Sequence, residues 1–257
     1  MAGLIILIFA LALGAYLYND NKRRTRKNPT PSGMHQLLQE NVTFYQNLSI
    51  NDKLAFESRI IDFLEHTSIR GVDVEIDDLD RVLVAAGAII LIFSFPDWKY
   101  NNISEVLLYK GTFSKDFETE GGDRNVLGMV GDGALHHEML LSKPSLRSSF
   151  KNPIDGHNTA IHEFAHLIDK ADGATDGIPE YLLTRPEVLP WVSEIHTAIQ
   201  QIRSSNHSDI DSYGATNEAE FFAVISEYFF EKPDKLKEHH PELYAMLVKM
   251  FHPESSR

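Results

Sequence analysis

The feature that most constrains this chain is a pentapeptide, His162-Glu163-Phe164-Ala165-His166, with the pattern H-E-x-x-H. The two histidines are four residues apart, so on an α-helix both imidazoles leave the same face and suit two ligand positions of one zinc ion. Glu163 lies about 100° further round the helix, where it can reach a water beside the metal and act as a general base. The motif therefore predicts a helix that serves catalysis with a metal.

The residues around the motif favour such a helix. Asn158 and Thr159 are suitable N-cap residues. Ile161, Phe164 and Ile168 recur at helical spacing and supply an apolar face for a protein core. A chance H-E-x-x-H on a surface helix would lack these flanking residues.

Composition narrows the chemistry further. The chain has 257 residues, 43% of them hydrophobic, which is enough for one sizeable domain with a core. It has no cysteine, so any metal ligands must be histidines and carboxylates, and cysteine nucleophiles are excluded. The formal net charge is −13, which argues against nucleic acid as a partner because phosphate binding needs concentrated lysine and arginine.

The amino-terminal residues predict a membrane anchor. Residues 1–18 carry no charge and would span about 27 Å as a helix, close to the apolar thickness of about 30 Å of a bilayer. The basic cluster at residues 22–27 follows this segment, which places the following chain in the cytoplasm by the positive-inside rule. A cleaved signal peptide is the alternative, but the segment lacks a positive region before it. We expect a single-pass anchor at 1–18, a linker at 19–33 and one domain at 34–257.

Periodicity predicts an α+β domain that is mostly helical with a small sheet. Apolar residues recur at helical spacing in most of the chain, whereas a few short segments have the pattern of strands, with a glycine-rich connection at 121–133. The predicted helices lie at 34–48, 52–66, 77–95, 188–204, 218–230 and 233–251, and the predicted strands at 72–76, 103–109 and 135–141.

Zinc needs a third protein ligand, and the residues alone leave several candidates. Asp172 stands where an extended form of the motif has its third histidine, although Asp169 occupies the glycine position that would turn the chain back to the metal. Glu218, Glu220 and Glu227 lie on the later helix at 218–230. Glu220 is flanked by apolar residues, where a carboxylate needs a partner or a metal.

Two longer blocks carry a resemblance to a known family. They are GHNTAIHEFAHLIDKADGATDG at 156–177 and YGATNEAEFFA at 213–223, supported by PDW at 96–98 and EVLLYKGTF at 105–113. Together they resemble the Mlc titration factor A family, zinc peptidases related to the catalytic domain of anthrax lethal factor. The resemblance implies a zincin-like metallopeptidase domain with one zinc per chain. It implies Glu220 as the third metal ligand beside His162 and His166, and Tyr213 as the group that stabilises the oxyanion.

The expected function is therefore that of a membrane-anchored zinc metallopeptidase. It would hydrolyse peptide bonds through a zinc-activated water with Glu163 as general base, and the resemblance implies aminopeptidase-like activity on peptide or protein substrates. The alternative is a protein-binding module that sequesters a transcriptional regulator, with peptidase activity secondary. The anchor is a departure from the enterobacterial members of the family, so their partner does not transfer automatically.

Overall fold

The computed structural model describes residues 28–112, 127–131, 137–152, 155–204 and 208–252. The anchor predicted at 1–18 and the linker residues 19–27 lie outside these ranges. No helix within the described ranges has both the length and the apolar character needed to cross a membrane.

Helices make up most of the described chain, as the periodicity predicted. Those that precede the H-E-x-x-H motif are α1 Met34–Asn41, α2 Thr43–Gln46, α3 Ile50–His66, α4 Asp78–Ile92 and α5 Lys143–Lys151. The motif lies on α6 Thr159–Asp169, and the helices after it are α7 Arg185–Ser204, α8 Glu218–Glu231, α9 Pro233–His239 and α10 Pro241–Phe251. Short 3-10 segments occur at Lys170–Asp172 and Ser212–Ala215.

A small mixed sheet packs beside these helices. Its strands are β1 Ser68–Val72, β2 Glu105–Tyr109, β3 Gly128–Val130 and β4 Glu138–Ser142, in the spatial order β1-β2-β4-β3. The β1–β2 and β2–β4 pairs are parallel, and β3 runs antiparallel to β4 at the edge. The edge strand β3 packs against α6, so one end of the sheet lies next to the H-E-x-x-H motif.

Three local differences separate the sheet and its surroundings from the sequence-based expectations. The predicted strand at 72–76 is wrong: β1 ends at Val72, and Asp73 adopts a left-handed φ of 53° that ends the extended chain. Of residues 72–76, Val72 is the one that pairs with another strand within the described ranges, opposite Tyr109 of β2. Strand β3 lies inside the predicted glycine-rich connection, and α5 had no sequence-based prediction.

Helix α4 is the centre of the core. Every residue from Val82 to Ile92 is buried, so it is an internal helix. Asp77 and Asp80 form a reciprocal capping box at its start. Asp80 is fully buried but pairs with Lys143 at 2.9 Å and Arg147 at 2.7 Å, which joins α4 to α5.

The contact between α4 and α6 is very close. A Cβ atom on Gly87 would lie 2.6 Å from the Cβ atom of Ala160, well inside van der Waals contact. Only the absence of a side chain at Gly87 lets the two helices approach this far. The position of the H-E-x-x-H helix therefore depends on a glycine in the core helix.

We expect Gly87→Ala to lower the free energy of unfolding by about 2 kcal/mol. Alanine gains about 1 kcal/mol in helix propensity. Overpacking a core contact costs about 1–3 kcal/mol. We expect a cost near the upper end of this range, because the Cβ atom of Ala160 cannot rotate out of the way. Urea unfolding measures the loss. The double variant Gly87→Ala/Ala160→Gly should lose less free energy of unfolding than the two single variants lose together. If the two losses simply add, the close contact is contradicted.

Candidate active site

Helix α6 presents its two histidines because its ends and its apolar face are fixed by local interactions. The Asn158 side chain accepts a hydrogen bond from the Ile161 backbone N–H at 3.1 Å and caps the helix, as predicted. Phe164 packs against Phe63 and Tyr100 with ring centroids 5.7 and 5.2 Å apart. The opposite face, with the two imidazoles, is thereby directed to the cleft.

Helix α8 brings Glu220 to the same place. Asn217 caps the helix by accepting the Glu220 backbone N–H at 2.9 Å, so Glu220 lies in the first turn. Phe221 and Phe222 are fully buried beside the indole of Trp191 on α7. This packing leaves the Glu220 side chain directed at the imidazoles of α6.

Three side-chain atoms meet at the centre of the site. The Nε2 atom of His162 lies 3.1 Å from Oε2 of Glu220, Nε2 of His166 lies 3.3 Å from the same oxygen, and the two Nε2 atoms are 3.3 Å apart. We call these three atoms the ligand cluster. Zinc bonds of about 2.0–2.1 Å in tetrahedral geometry require ligand atoms about 3.3 Å apart. Within the described part of the chain, the cluster is the group that meets the requirements for holding a metal ion.

The hydrogen bonding of His162 supports a cation between these atoms. Glu227 accepts a hydrogen bond from Nδ1 of His162 at 2.6 Å, so that nitrogen carries a proton. In the neutral imidazole Nε2 then has a lone pair, which faces the Glu220 carboxylate. Two lone pairs at 3.1 Å repel unless a proton or a metal ion lies between them. Two imidazoles and a carboxylate are a donor set of catalytic zinc sites, so these residues fit zinc.

The carboxylates around the cluster set its protonation. Burial by itself lowers the pKa of His162, but the hydrogen bonds with Glu220 and Glu227 outweigh it and raise this pKa well above its ordinary value. Burial by itself raises the pKa of Glu220, but the hydrogen bonds with His162 and His166 hold it far below its usual range. The site therefore keeps an anionic Glu220 and attracts positive charge.

Glu163 is buried next to the cluster, with 5% of its surface exposed. Burial raises its pKa above the usual range, and the neighbouring imidazoles of His162 and His166 offset part of the effect. Among the described residues Glu163 makes no hydrogen bond, and its carboxylate is held by packing and by the adjacent imidazoles of His162 and His166. A buried carboxylate with a raised pKa is a suitable proton acceptor.

Tyr213 lies on the short 3-10 segment that precedes α8. Its ring centroid is 5.9 Å from that of His162, and about half of its surface is exposed. Burial, followed by the charge of the Glu220 carboxylate, raises the pKa of Tyr213 to about 12. The phenol is therefore protonated near neutral pH and able to donate a hydrogen bond beside the ligand cluster.

The site opens into a cleft of about 780 Å³. Its walls come from β3, α7 and the loop before α7, and they are largely apolar. The lining side chains include Met129, Val130, Ile178, Val192 and Ile195. A cleft of this size accommodates several residues of an extended peptide.

The structure distinguishes among the candidate third ligands. Glu220 contributes to the ligand cluster, whereas Glu227 contacts Nδ1 of His162 from behind. Glu218 pairs with His196 at 3.3 Å at the rim of the cleft. Asp172 is exposed, and its carboxylate accepts the backbone N–H of Ala174 at 3.0 Å, outside the cluster.

Sequence reasoning considered Glu227 only as a candidate metal ligand and did not predict the cleft wall at β3. The carboxylate of Glu227 orients His162 and also accepts the backbone N–H of Asn158; its only sequence signal was its position seven residues after Glu220. The cleft wall formed by Gly128 and its β3 neighbours had no signal beyond a glycine-rich composition. Behind His166, the buried Asp169 accepts the backbone N–H of Gly177 at 2.9 Å, which holds the loop of the cleft.

Comparisons with known proteins agree on one family. The family model described as Glucose-regulated metallo-peptidase M90 matches residues 17–252. An uncharacterized protein of Synechocystis sp., slr2042, is 30% identical over 96% of this chain and 95% of its own length. Mlc titration factor A of Escherichia fergusonii is 31% identical over 69% of each chain, and that of Salmonella arizonae is 28% identical over 79% of this chain and 83% of its own.

We expect one zinc ion per chain, and we expect Glu220→Ala to lose it. Glu227→Ala removes a residue that orients a ligand, and such a loss costs about 10–100-fold in zinc affinity. Glu220→Ala removes one of the three protein ligands and should weaken zinc binding more. Metal analysis and competition with a chelator measure both. Asp172→Ala is the matched control, because this carboxylate lies near the motif but outside the cluster. An emptied site in Asp172→Ala with zinc kept in Glu220→Ala would contradict the assignment.

Proposed function

This chain belongs to the glucose-regulated metallo-peptidase M90 family, and we propose that it is a zinc-dependent peptidase that hydrolyses peptide bonds through a zinc-activated water. The observation that carries the proposal is the ligand cluster, three atoms 3.1–3.3 Å apart beside the buried Glu163 in an open cleft. The position for a metal ion, the proposed general base and the space for a substrate are thus adjacent.

The proposed mechanism assigns a role to each side chain. His162, His166 and Glu220 would hold the zinc ion, which when bound would act as a Lewis acid towards a water molecule and a substrate carbonyl group. Glu163 accepts the proton of the water and later delivers it to the leaving amine. Its raised pKa, caused first by burial, suits a group that must both take and release a proton.

Two further residues complete the proposal. Tyr213 donates a hydrogen bond to the oxygen that becomes negative in the tetrahedral intermediate, which its pKa of about 12 allows because the phenol keeps its proton. Glu227 accepts the Nδ1 proton of His162 at 2.6 Å and so directs Nε2 towards the metal position. Neither residue needs to touch the metal.

We further propose that residues 1–18 anchor the peptidase to a membrane with its domain in the cytoplasm. The support is the uncharged segment followed by the basic cluster at 22–27. The family match begins at residue 17, near the end of this apolar segment.

A second candidate function is the binding of a regulator protein. The observation that favours it is the name of several relatives, Mlc titration factor A, which describes titration of Mlc by those proteins. In this chain the cleft and its rim would serve as the binding surface. Binding and hydrolysis are separable, because a binding role does not need the proton transfer of Glu163.

We expect Glu163→Gln to reduce peptide hydrolysis to a small residual rate while zinc stays bound, since glutamine keeps the shape of the side chain but cannot take a proton. Tyr213→Phe should lower kcat by about 10–1000-fold with KM and zinc content little changed, because the phenol acts on the transition state. Kinetics on one small chromogenic peptide and zinc analysis measure both. Wild-type hydrolysis by Glu163→Gln would exclude the proposed base, and an unchanged kcat in Tyr213→Phe would exclude the oxyanion role.

Regulator binding that survives Glu163→Gln would support the second function.

We expect the full chain to stay in the membrane fraction through alkaline washing, because the predicted anchor is uncleaved. The domain should resist protease added to intact spheroplasts and be digested after lysis. A soluble product that has lost the amino-terminal apolar segment, or digestion from outside, would contradict the proposed topology.

A further inference from the structure

The edge strand β3 passes directly over Glu163. The residue at the crossing is Gly128, which pairs with Leu141 of β4. A Cβ atom on Gly128 would lie 2.5 Å from Oε1 of Glu163, 2.6 Å from its Cγ and 2.8 Å from its Cδ. All three of these nearest atoms belong to one side chain. Gly128 therefore leaves a space that the Glu163 side chain occupies.

The conflict would involve Glu163 and not the backbone of the strand. Among the described glycines, those with a left-handed φ do not include Gly128, so alanine adopts this backbone without strain. The hydrogen bonds of a β-ladder come from the backbone and do not require glycine. The atoms in the way are the outer part of a flexible side chain. A methyl group here should displace Glu163 before it disrupts the sheet.

Glu163 is easily displaced because it differs from the other carboxylates of the site. Glu227 is fixed by the hydrogen bond that it accepts from Nδ1 of His162, and Glu220 lies against Nε2 of the same ring in the ligand cluster. Within the described part of the chain Glu163 has no hydrogen bond, and its buried carboxylate is held by packing and by the nearby imidazoles of His162 and His166. The covering strand is thus a close packing contact that limits where this carboxylate can lie.

We propose that Gly128 is a positioning residue for Glu163: its missing side chain forms the seat in which the general base is held beside the ligand cluster. This inference rests on the proposed peptidase function for its kinetic consequence. Its steric part concerns two residues of the chain and does not depend on metal or substrate.

Kinetics of Gly128→Ala test the consequence. A displacement of about 1 Å at a reacting group costs about 100-fold in rate. We therefore expect kcat to fall about 100-fold while KM and zinc content stay near wild type. Gly111→Ala is the matched control, because among the described residues, apart from its chain neighbours, no atom lies within 4 Å of a Cβ built at Gly111. In the Glu163→Gln background the same substitution should reduce residual activity little further, because the two changes act through one group.

Unfolding of the metal-free chain tests the contact independently of activity. Glu163→Ala removes Cγ, Cδ and Oε1, the atoms that the new methyl group would meet. We expect Gly128→Ala to lower the urea midpoint in the wild-type background and to leave it nearly unchanged in the Glu163→Ala background. If Gly128→Ala alone does not fold, the double variant should fold.

The outcomes separate this proposal from the proposed function. Equal loss of stability in both backgrounds, a double variant that fails to fold, or an unchanged kcat in Gly128→Ala would overturn the role of Gly128. A wild-type chain that holds zinc but hydrolyses no peptide would instead overturn the peptidase function, and the unfolding cycle would still decide whether Gly128 seats Glu163.

Discussion

The site depends on the charge balance between two imidazoles and the carboxylates around them. Glu220 and Glu227 contact opposite nitrogens of His162 at 3.1 and 2.6 Å, and Glu163 is buried beside them. Burying this much negative charge is unfavourable unless positive charge lies among the groups. A proton on His162 supplies one such charge, and a divalent cation in the ligand cluster supplies two. The same balance keeps Glu220 ionised and makes the cluster suitable for a metal.

Helix packing maintains these groups against their mutual repulsion. Helix α6 lies between the core helix α4, which it approaches at Gly87, and helix α8, which carries Glu220. The apolar faces of the three helices are buried, so moving the carboxylates apart would expose core side chains to water. The hydrophobic core thus stabilises a polar arrangement that would not form alone.

The groups of the site are held in two different ways. Two of the three ligand residues are positioned by hydrogen bonds: Glu227 accepts the Nδ1 proton of His162, and the Asn217 side chain accepts the backbone N–H of Glu220. Glu163 is held by packing under β3. This difference suits the proposed roles, because a metal ligand must keep one geometry, whereas a base must exchange a proton without losing hydrogen-bond partners.

Local sequence determined much of this protein. The spacing of His162 and His166, the Asn158 cap and the apolar positions of α6 follow from helix geometry, which acts over a few residues. The family resemblance, confirmed by the match to residues 17–252, pointed to Glu220.

Only the tertiary structure showed Glu227 behind His162, 65 residues away, and Gly128 over Glu163. It also decided that the strand lies at Ser68–Val72 and not at 72–76, because β2 pairs with the former. Contacts between distant segments depend on how helices and strands pack, and a local pattern carries no information about which surfaces will meet.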